Sequence, residues 1–132
     1  MDSNKTAKFK RAHERLTTFL NESDNWDGFG AKPASAVVGE AVTAFLLNLE
    51  AQCIREPGLA MGADGTVAVV WISDDYYITA DFCDADGYTF VATVDQKAVS
   101  MGYCSTTDLA PELQSTLNQH CRVTASPSEH TP

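Results

Sequence analysis

The sequence predicts an α+β fold in which a four-stranded antiparallel meander is covered by two N-terminal helices and a short C-terminal helix. Between residues 66 and 103, apolar side chains recur at every second position, and turn residues interrupt this pattern every eight to ten residues. Such alternation puts one face of each strand against a core and the other in solvent. The flanking segments carry apolar residues at spacings of three and four, as amphipathic helices do.

A first helix is predicted to start after a cap at Asp2 or Ser3 and to run to about Asn21. Its apolar face comprises Phe9, Ala12, Leu16, Phe19 and Leu20, and the opposite face carries Lys5, Lys8, Arg11 and Arg15. A basic stripe can contact a phosphate backbone, but four charges without interleaved aromatic residues are also typical of a solvated surface. We expect no direct contact with nucleic acid, although binding through this helix is an open alternative that a mobility-shift assay at low salt can remove.

The segment 21–33, NESDNWDGFGAKP, breaks regular structure with Asn, Asp and Gly residues and contains two large aromatic residues, Trp26 and Phe29. Together these two side chains can bury roughly 300 to 500 Å². Two interpretations are open: they anchor the loop over the sheet or between the helices, or they form an exposed loop that binds a partner. The oxygen spacing of a calcium loop and its closing Glu are missing, so we expect no metal here.

The same segment carries a resemblance. The hexapeptide WDGFGA at 26–31 with Pro33, then a helix, Pro57, and Asp64-Gly65 ahead of a strand ending in Trp71 resembles a family of small bacterial proteins of unknown function. The family pattern is W-D-G-aromatic-G-A-x-P, a helix, and D-G-x-x-x-x-x-W; the match covers about residues 24–95, and only the hexapeptide is specific. Phe29 stands where Tyr is usual, which removes a hydroxyl. The resemblance implies an α+β domain of bacterial or phage origin and carries over no catalytic residue.

Ser35 is predicted to cap a second helix that follows Pro33 and runs to about Ile54. Its broad apolar stripe consists of Val38, Val42, Phe45, Leu46, Leu49 and Ile54. Glu56-Pro57-Gly58 ends the helix, because proline and glycine both disfavour its continuation. We expect this long helix to lie across the sheet.

The four strands are predicted at 66–72, 76–83, 88–94 and from about Ala98 to Tyr103. The strand 76–83 alternates apolar and polar residues, whereas 66–72 is apolar on both faces, which predicts a central strand or one with a second covering layer. A further short strand at 59–61 is weakly indicated because Gly58 and Gly62 flank it. Acidic turns join the strands at Asp74-Asp75, at 84–87 and at 95–97, where Asp and Gly suit tight hairpins.

After Tyr103, Thr106-Thr107-Asp108 is predicted to cap a third helix with Pro111 in its first turn. The helix runs to about Cys121 with Leu109, Leu113, Leu117 and Cys121 facing inward. From Arg122 the composition turns to Thr, Ser and Pro, which predicts a disordered tail. We therefore place a single domain at residues 1–121 and a tail at 122–132.

Composition bounds the class of protein. A chain of 132 residues with 44% hydrophobic content can hold a core in one domain. No apolar run approaches the ~20 residues of a membrane span, and the polar N-terminus lacks a signal-peptide pattern. We expect a protein in the cytoplasm of a bacterial host cell, without a membrane partner. The cysteines lack the close spacing of a zinc or redox site, so free thiols and no cofactor are expected.

The charge is negative and unevenly spread. The net charge is −9; residues 1–15 carry five bases and two acids, a net of +3, and the other 117 residues carry four bases and sixteen acids, a net of −12. Seven aspartates and no base lie between Asp64 and Asp95. Such a field favours basic partners, although acids also collect at turns and discourage aggregation at sheet edges.

We expect no enzyme. Nucleophilic catalysis needs a Ser or Cys beside a base with an orienting acid. Cys121 follows His120 directly, but neighbours in a helix point about 100° apart. Asp81 with Asp84 or Asp86 could form a carboxylate pair, yet solvated turn aspartates keep ordinary acidity. A carboxyl with a clearly raised pKa would revive the catalytic hypothesis.

The remaining hypothesis is a non-catalytic acidic inhibitor or modulator, of the phage-encoded anti-defence or anti-CRISPR kind. Its partner would be a bacterial protein or ribonucleoprotein complex with a basic surface. The candidate partner-binding residues are Asp74, Asp75, Tyr77, Asp81, Asp84 and Asp86, with Trp26 and Phe29. The alternative is an antitoxin or immunity protein that neutralises a toxin from its own operon, for which the same acidity would serve. Homodimerisation through a free sheet edge is also open.

Overall fold

The computed structural model describes residues 9–22, 28, 30, 34–62, 64–83 and 87–122. The described chain folds as three helices and five strands, which confirms the α+β class. In chain order these are α1 (Lys10–Leu20), α2 (Ala36–Ala51), β1 (Gly58–Met61), β2 (Val67–Ile72), β3 (Tyr76–Phe82), β4 (Tyr88–Val94), β5 (Lys97–Cys104) and α3 (Pro111–His120). None of these helices has the length and apolar content needed to cross a membrane.

The strands form one antiparallel sheet in the order β1-β2-β3-β4-β5. The meander is as predicted, but it has five strands, since the weakly indicated segment at the start pairs with β2. Leu59 faces Val69 and Met61 faces Val67 in this pairing. Leu59 is buried and adds an apolar side chain to the core. Burial of that residue outweighs the poor strand propensity of the flanking glycines.

One face of the sheet carries the core. Buried side chains alternate along β2, β3 and β4, and they comprise Val67, Val69, Trp71, Ile78, Ala80, Phe82, Tyr88, Phe90 and Ala92. The helices lie across this face: α1 contacts β1, α2 contacts β2 and β3, and α3 contacts β4 and β5. We call this the inner face. Its centre is an aromatic cluster in which the rings of Phe45, Phe82 and Tyr88 have centroids 4.8–5.1 Å apart.

Helix α2 begins as predicted. The Ser35 hydroxyl oxygen accepts a hydrogen bond from the Val38 N–H at 3.2 Å, which satisfies one of the free donors of the first turn. The helix ends at Ala51, earlier than predicted, because Cys53 adopts a positive φ of 60° that a helix cannot continue through. Ile54 then leaves the helix and forms an isolated antiparallel bridge with Arg122.

Helix α1 is fixed to α2 and β1 by polar contacts. His13 Nε2 lies 2.9 Å from the buried Glu50 Oε2, and the Glu56 carboxylate accepts from the Ala12 N–H at 2.8 Å. The second contact caps the first turn, a role that the sequence assigned to Asp2 or Ser3. Those two residues lie outside the described part of the chain. The predicted apolar face is buried at Phe9, Ala12, Leu16 and Phe19, whereas Leu20 is partly exposed.

Helix α3 begins later than its predicted caps. Its N-cap is Ala110, with Pro111 in the first turn as expected. Thr106 instead accepts from the Asp108 N–H at 3.1 Å within the preceding loop. The buried Tyr88 hydroxyl determines the start, since it donates to the Asp108 carbonyl and accepts from the Ala110 N–H, both at 2.8 Å.

This double contact predicts a stability loss in Tyr88→Phe. The change leaves the buried Ala110 N–H without an acceptor, so we expect the free energy of unfolding to fall by about 1–3 kcal/mol. Urea denaturation followed by circular dichroism measures it. The matched control is Tyr77→Phe, which removes the hydroxyl of a half-exposed side chain and should change stability by less than about 0.5 kcal/mol. Equal losses in the two variants would contradict this role for Tyr88.

Candidate functional site

The side of the sheet opposite the helices is the candidate site, and we call it the outer face. Strand register arranges its side chains in three rows across the sheet. From β2 to β5 these rows are Ile72–Tyr77–Thr93–Ala98, Val70–Thr79–Val91–Met101 and Ala68–Asp81–Thr89–Tyr103. No described helix packs on this side, so the second layer suggested by the apolar pattern of 66–72 is not found there.

Large apolar side chains are exposed on the outer face. Their exposed fractions are 63% for Ile72, 50% for Tyr77, 39% for Val91, 63% for Met101 and 59% for Tyr103. Adjacent rows and strands bring these residues together across β2 to β5. A contiguous exposed apolar patch on a small domain is typical of a surface that binds another molecule.

Asp81 is the acidic residue of the outer face. It lies directly between Ala68 on β2 and Thr89 on β4. Burial among its neighbours raises the pKa of the Asp81 carboxyl above its ordinary value. Among the described residues it has neither a hydrogen bond nor an ion pair, so no contact offsets the desolvation. A half-buried, unpaired carboxylate is a favourable contact for an incoming cation.

Three turn acids of the described chain lie at one end of the sheet, whereas Asp64 lies in the β1–β2 turn at the other end. Asp74 and Asp75 are exposed in the β2–β3 turn. The β4–β5 turn lies beside it, because the Asp95 N–H donates to the Asp75 carbonyl at 2.8 Å. Asp95 and Gln96 have φ values of 52° and 68°, as a two-residue type I′ hairpin requires. Three carboxylates therefore border one end of the outer face.

Among the described residues, the predicted acids Asp74, Asp75 and Asp81 do not form one patch. At about 3.3 Å per strand residue, Asp81 lies ~20 Å along β3 from Asp75. Tyr77 and Asp81 share the outer face, whereas Asp74 and Asp75 lie at its border. Four further predicted residues, Asp84, Asp86, Trp26 and Phe29, fall outside the described part of the chain.

Residues that the sequence analysis did not select make up much of the outer face. They are Ile72, Val91, Met101 and Tyr103. The sequence did indicate them. Apolar side chains at second positions on the otherwise polar face of a strand are unexpected on a surface that only contacts water. No described element of the chain covers them.

The described residues offer little for catalysis or metal binding. They contain no group of three His, Cys, Asp or Glu side chains placed to hold a metal ion. Burial raises the pKa of the Cys121 thiol, which makes it a poorer nucleophile, and His120 stacks on Tyr76 with ring centroids 5.7 Å apart. The raised pKa of Asp81 revives the question of acid–base chemistry. Its cause is desolvation alone, and among the described residues no polar side chain bonds to it to form an acid–base pair.

No protein-family model, curated protein or solved structure matches this chain. The resemblance carried by WDGFGA thus remains a prediction. Of that hexapeptide, Gly28 and Gly30 are described, with φ values of 80° and 88°. Residues with side chains rarely adopt such values, which explains the two glycines at this spacing.

The environment of Asp81 predicts a pH-dependent effect on stability. Because folding raises its pKa, the stabilising contribution of Asp81 is complete below about pH 3.8 and is lost as the pH rises through the folded pKa. Asp81→Asn should therefore raise the urea midpoint at pH 7, and the difference from the native protein should shrink at pH 3.

Asp74→Asn is the matched control, since it removes the same charge from an exposed turn. We expect a smaller gain at pH 7 than for Asp81→Asn, because water already solvates that carboxylate. A loss of stability in Asp81→Asn at pH 7 would show instead that the carboxylate has a stabilising partner in the folded chain.

Proposed function

We propose that this protein is a non-catalytic inhibitor or modulator that docks its outer face on a protein surface where basic side chains are set among apolar ones. The observation that carries the proposal is the exposed apolar face with an unpaired carboxylate, Asp81, within it. A bacterial nucleic-acid-handling complex, of the kind that anti-CRISPR proteins inhibit, presents basic surfaces of this class.

Apolar contact supplies most of the binding energy in this proposal. Tyr77 and Tyr103 stand on different rows, with Val91 and Met101 between them on the middle row. Tyrosine and other large side chains at the centre of a protein interface commonly dominate its affinity. The sheet already orders their backbone, and each tyrosine ring has few torsions to fix on binding, so the entropy cost is small.

Asp81 selects the chemistry of the partner. Docking would remove the remaining water from its carboxylate, and burying an unpaired charge is strongly unfavourable. A lysine or arginine that approaches Asp81 converts this cost into a charge-assisted hydrogen bond. The partner surface must therefore bring a cation to this position.

A second copy of the chain is a poor occupant of the outer face. Face-to-face packing of two copies would bury two Asp81 carboxylates without a cation. It would also bring together two bodies that each carry a net charge of −9. The same charges attract a basic partner.

The turn acids have a secondary role. Asp74, Asp75 and Asp95 border the face and stay solvated, so each contributes little affinity but raises the association rate with a basic surface. This differs from the sequence-based hypothesis, in which the turn aspartates and Asp81 act together.

The test uses the tagged full-length protein to capture partners from a bacterial lysate, followed by purification of the captured protein and calorimetric titration. Tyr77→Ala and Asp81→Asn should each weaken binding about tenfold or more. Raising NaCl should also weaken it, because part of the attraction is electrostatic. Leu47→Ser, which alters an exposed residue of α2 away from the outer face, is the control and should leave affinity unchanged.

Equal affinities for the native protein, Tyr77→Ala and Asp81→Asn would exclude the outer face as the binding site. The identity of a captured partner also separates the two proposed roles. A toxin-like neighbour from the same operon would point to an antitoxin or immunity protein rather than to an anti-defence inhibitor.

A further inference from the structure

The two edges of the sheet differ in how they are protected. At the β1 edge, the Arg15 side chain covers the backbone, since its Nε donates to the Leu59 carbonyl at 2.8 Å. At the other edge β5 is eight residues long, and within the described ranges of the chain it pairs with β4 alone. An uncovered edge strand of this length is a template for pairing with another strand.

The ladder shows which β5 groups are free. In an antiparallel ladder, backbone groups point alternately to the two neighbouring strands. The Asp95 N–H bonds to Asp75 on the β3 side, so the alternation directs Thr93, Val91 and Thr89 toward β3. Tyr88, Phe90 and Ala92 then face β5, where their partners are Cys104, Gly102 and Ser100. The intervening Met101 and Tyr103 consequently direct their N–H and C=O groups to the open edge.

Protection of β5 is limited to its first half. Lys97 opens the strand, and the register shifts between Ala92 and Thr93, both of which discourage uncontrolled pairing there. From Ser100 to Cys104 the register is regular. Among the described residues, none of this half makes a backbone hydrogen bond outside the sheet.

A groove runs beside the open edge on the inner side. It lies between β5 and α3 and has a volume of about 680 Å³. Its lining includes Val99, Ser100, Glu112, Ser115, Thr116 and Gln119. Glu112 makes no ion pair among the described residues and is exposed. A strand added to β5 would direct every second side chain to the inner side, and the side chain opposite Ser100 would reach this groove.

We propose that the β5 edge receives an extended, basic segment of the partner as a sixth, antiparallel strand. Its outward side chains pack beside Met101 and Tyr103, and an inward lysine or arginine enters the groove toward Glu112. This inference rests on the proposed function, because the segment belongs to the partner that covers the outer face. Main-chain bonds to Met101 and Tyr103 provide affinity, and the alternate side chains provide specificity.

Charge decides between this occupant and a second copy. Pairing β5 with β5 of another copy would bring two chains of net charge −9 edge to edge, with Lys97 the only base in either strand. A basic segment gains from the same field and from Glu112. The edge is therefore suited to a partner strand rather than to self-association.

The probe is an acetylated seven-residue peptide that alternates valine with lysine or arginine, titrated into the full-length protein. Valines on the outer side lie opposite Met101 and Tyr103 and exchange hydrogen bonds with them. N-methylation of the valine amides should abolish binding, whereas N-methylation of the basic residues, whose N–H groups point away from β5, should leave it intact. Nuclear magnetic resonance should show shifts of the Met101, Tyr103 and Glu112 amides.

Protein variants give a second test. Met101→Pro removes an outward N–H, and edge positions tolerate proline, so we expect peptide affinity to fall about tenfold or more relative to Met101→Thr. Glu112→Lys should weaken binding several-fold. Thermal melting shows whether each variant is folded. If Met101→Pro does not fold, the methylated peptides still test the inference on the native chain.

Three results would overturn the inference. The first is equal binding of the two methylated peptides, and the second is absence of peptide binding. The third is a dimer of the native protein, detected by light scattering after size exclusion, that Met101→Pro abolishes. Each leaves the outer-face proposal standing if the captured partner still depends on Tyr77 and Asp81. A captured partner that is insensitive to those two residues but binds Met101→Pro more weakly than Met101→Thr would refute the outer face and retain the edge.

Discussion

The period of two along the strands is the constraint on which the rest of this structure depends. It gives the sheet one face that must be covered and one that need not be, and a one-residue slip in β3 would move Thr79 and Asp81 into the core and Ile78 and Ala80 out of it. The three helices all lie on the inner face, because the buried alternation is continuous there across β2 to β4. The outer face is thus a direct consequence of register, and no described helix covers its apolar residues.

The positions of α1 and α3 on the inner face also explain why the two sheet edges differ. Helix α1 is close enough to β1 for Arg15 to reach the Leu59 carbonyl, so a side chain occupies one backbone acceptor of that four-residue edge strand. Helix α3 is anchored at its start by the Tyr88 hydroxyl and returns under β4 and β5 on the inner side. It buries Leu113 and Leu117 without covering the backbone edge of β5. Within the described part of the chain, the β1 edge is consequently short and partly covered, and the β5 edge is long and open, with a groove beside its first half.

Local signals were sufficient for much of the fold. The alternation of 76–83, the Ser35 cap and the proline in the first turn of α3 are each set by nearby residues, and each was predictable. The pairing of Leu59 with Val69 could not be predicted in the same way, because β1 has weak strand propensity and depends on its pairing with β2. The candidate site was also predictable only in part. The acidity of the turns is visible in the sequence. The desolvation of Asp81 depends on neighbours from β2 and β4, which only the register brings together.

In the proposed function, the outer face must bind one partner and avoid binding others, and these two requirements are opposed. The exposed residues of the outer face favour association with any apolar surface, and the open β5 edge favours pairing with any strand. Asp81 makes a neutral or acidic counterpart unfavourable, because that counterpart would leave a buried charge unpaired, and the net charge of −9 separates copies of the chain. In the proposed function, this repulsion disfavours wrong partners, while a partner that brings a cation to Asp81 gains a charge-assisted hydrogen bond. The cost of the unpaired carboxylate in the free protein is therefore consistent with a surface whose cation comes from another molecule.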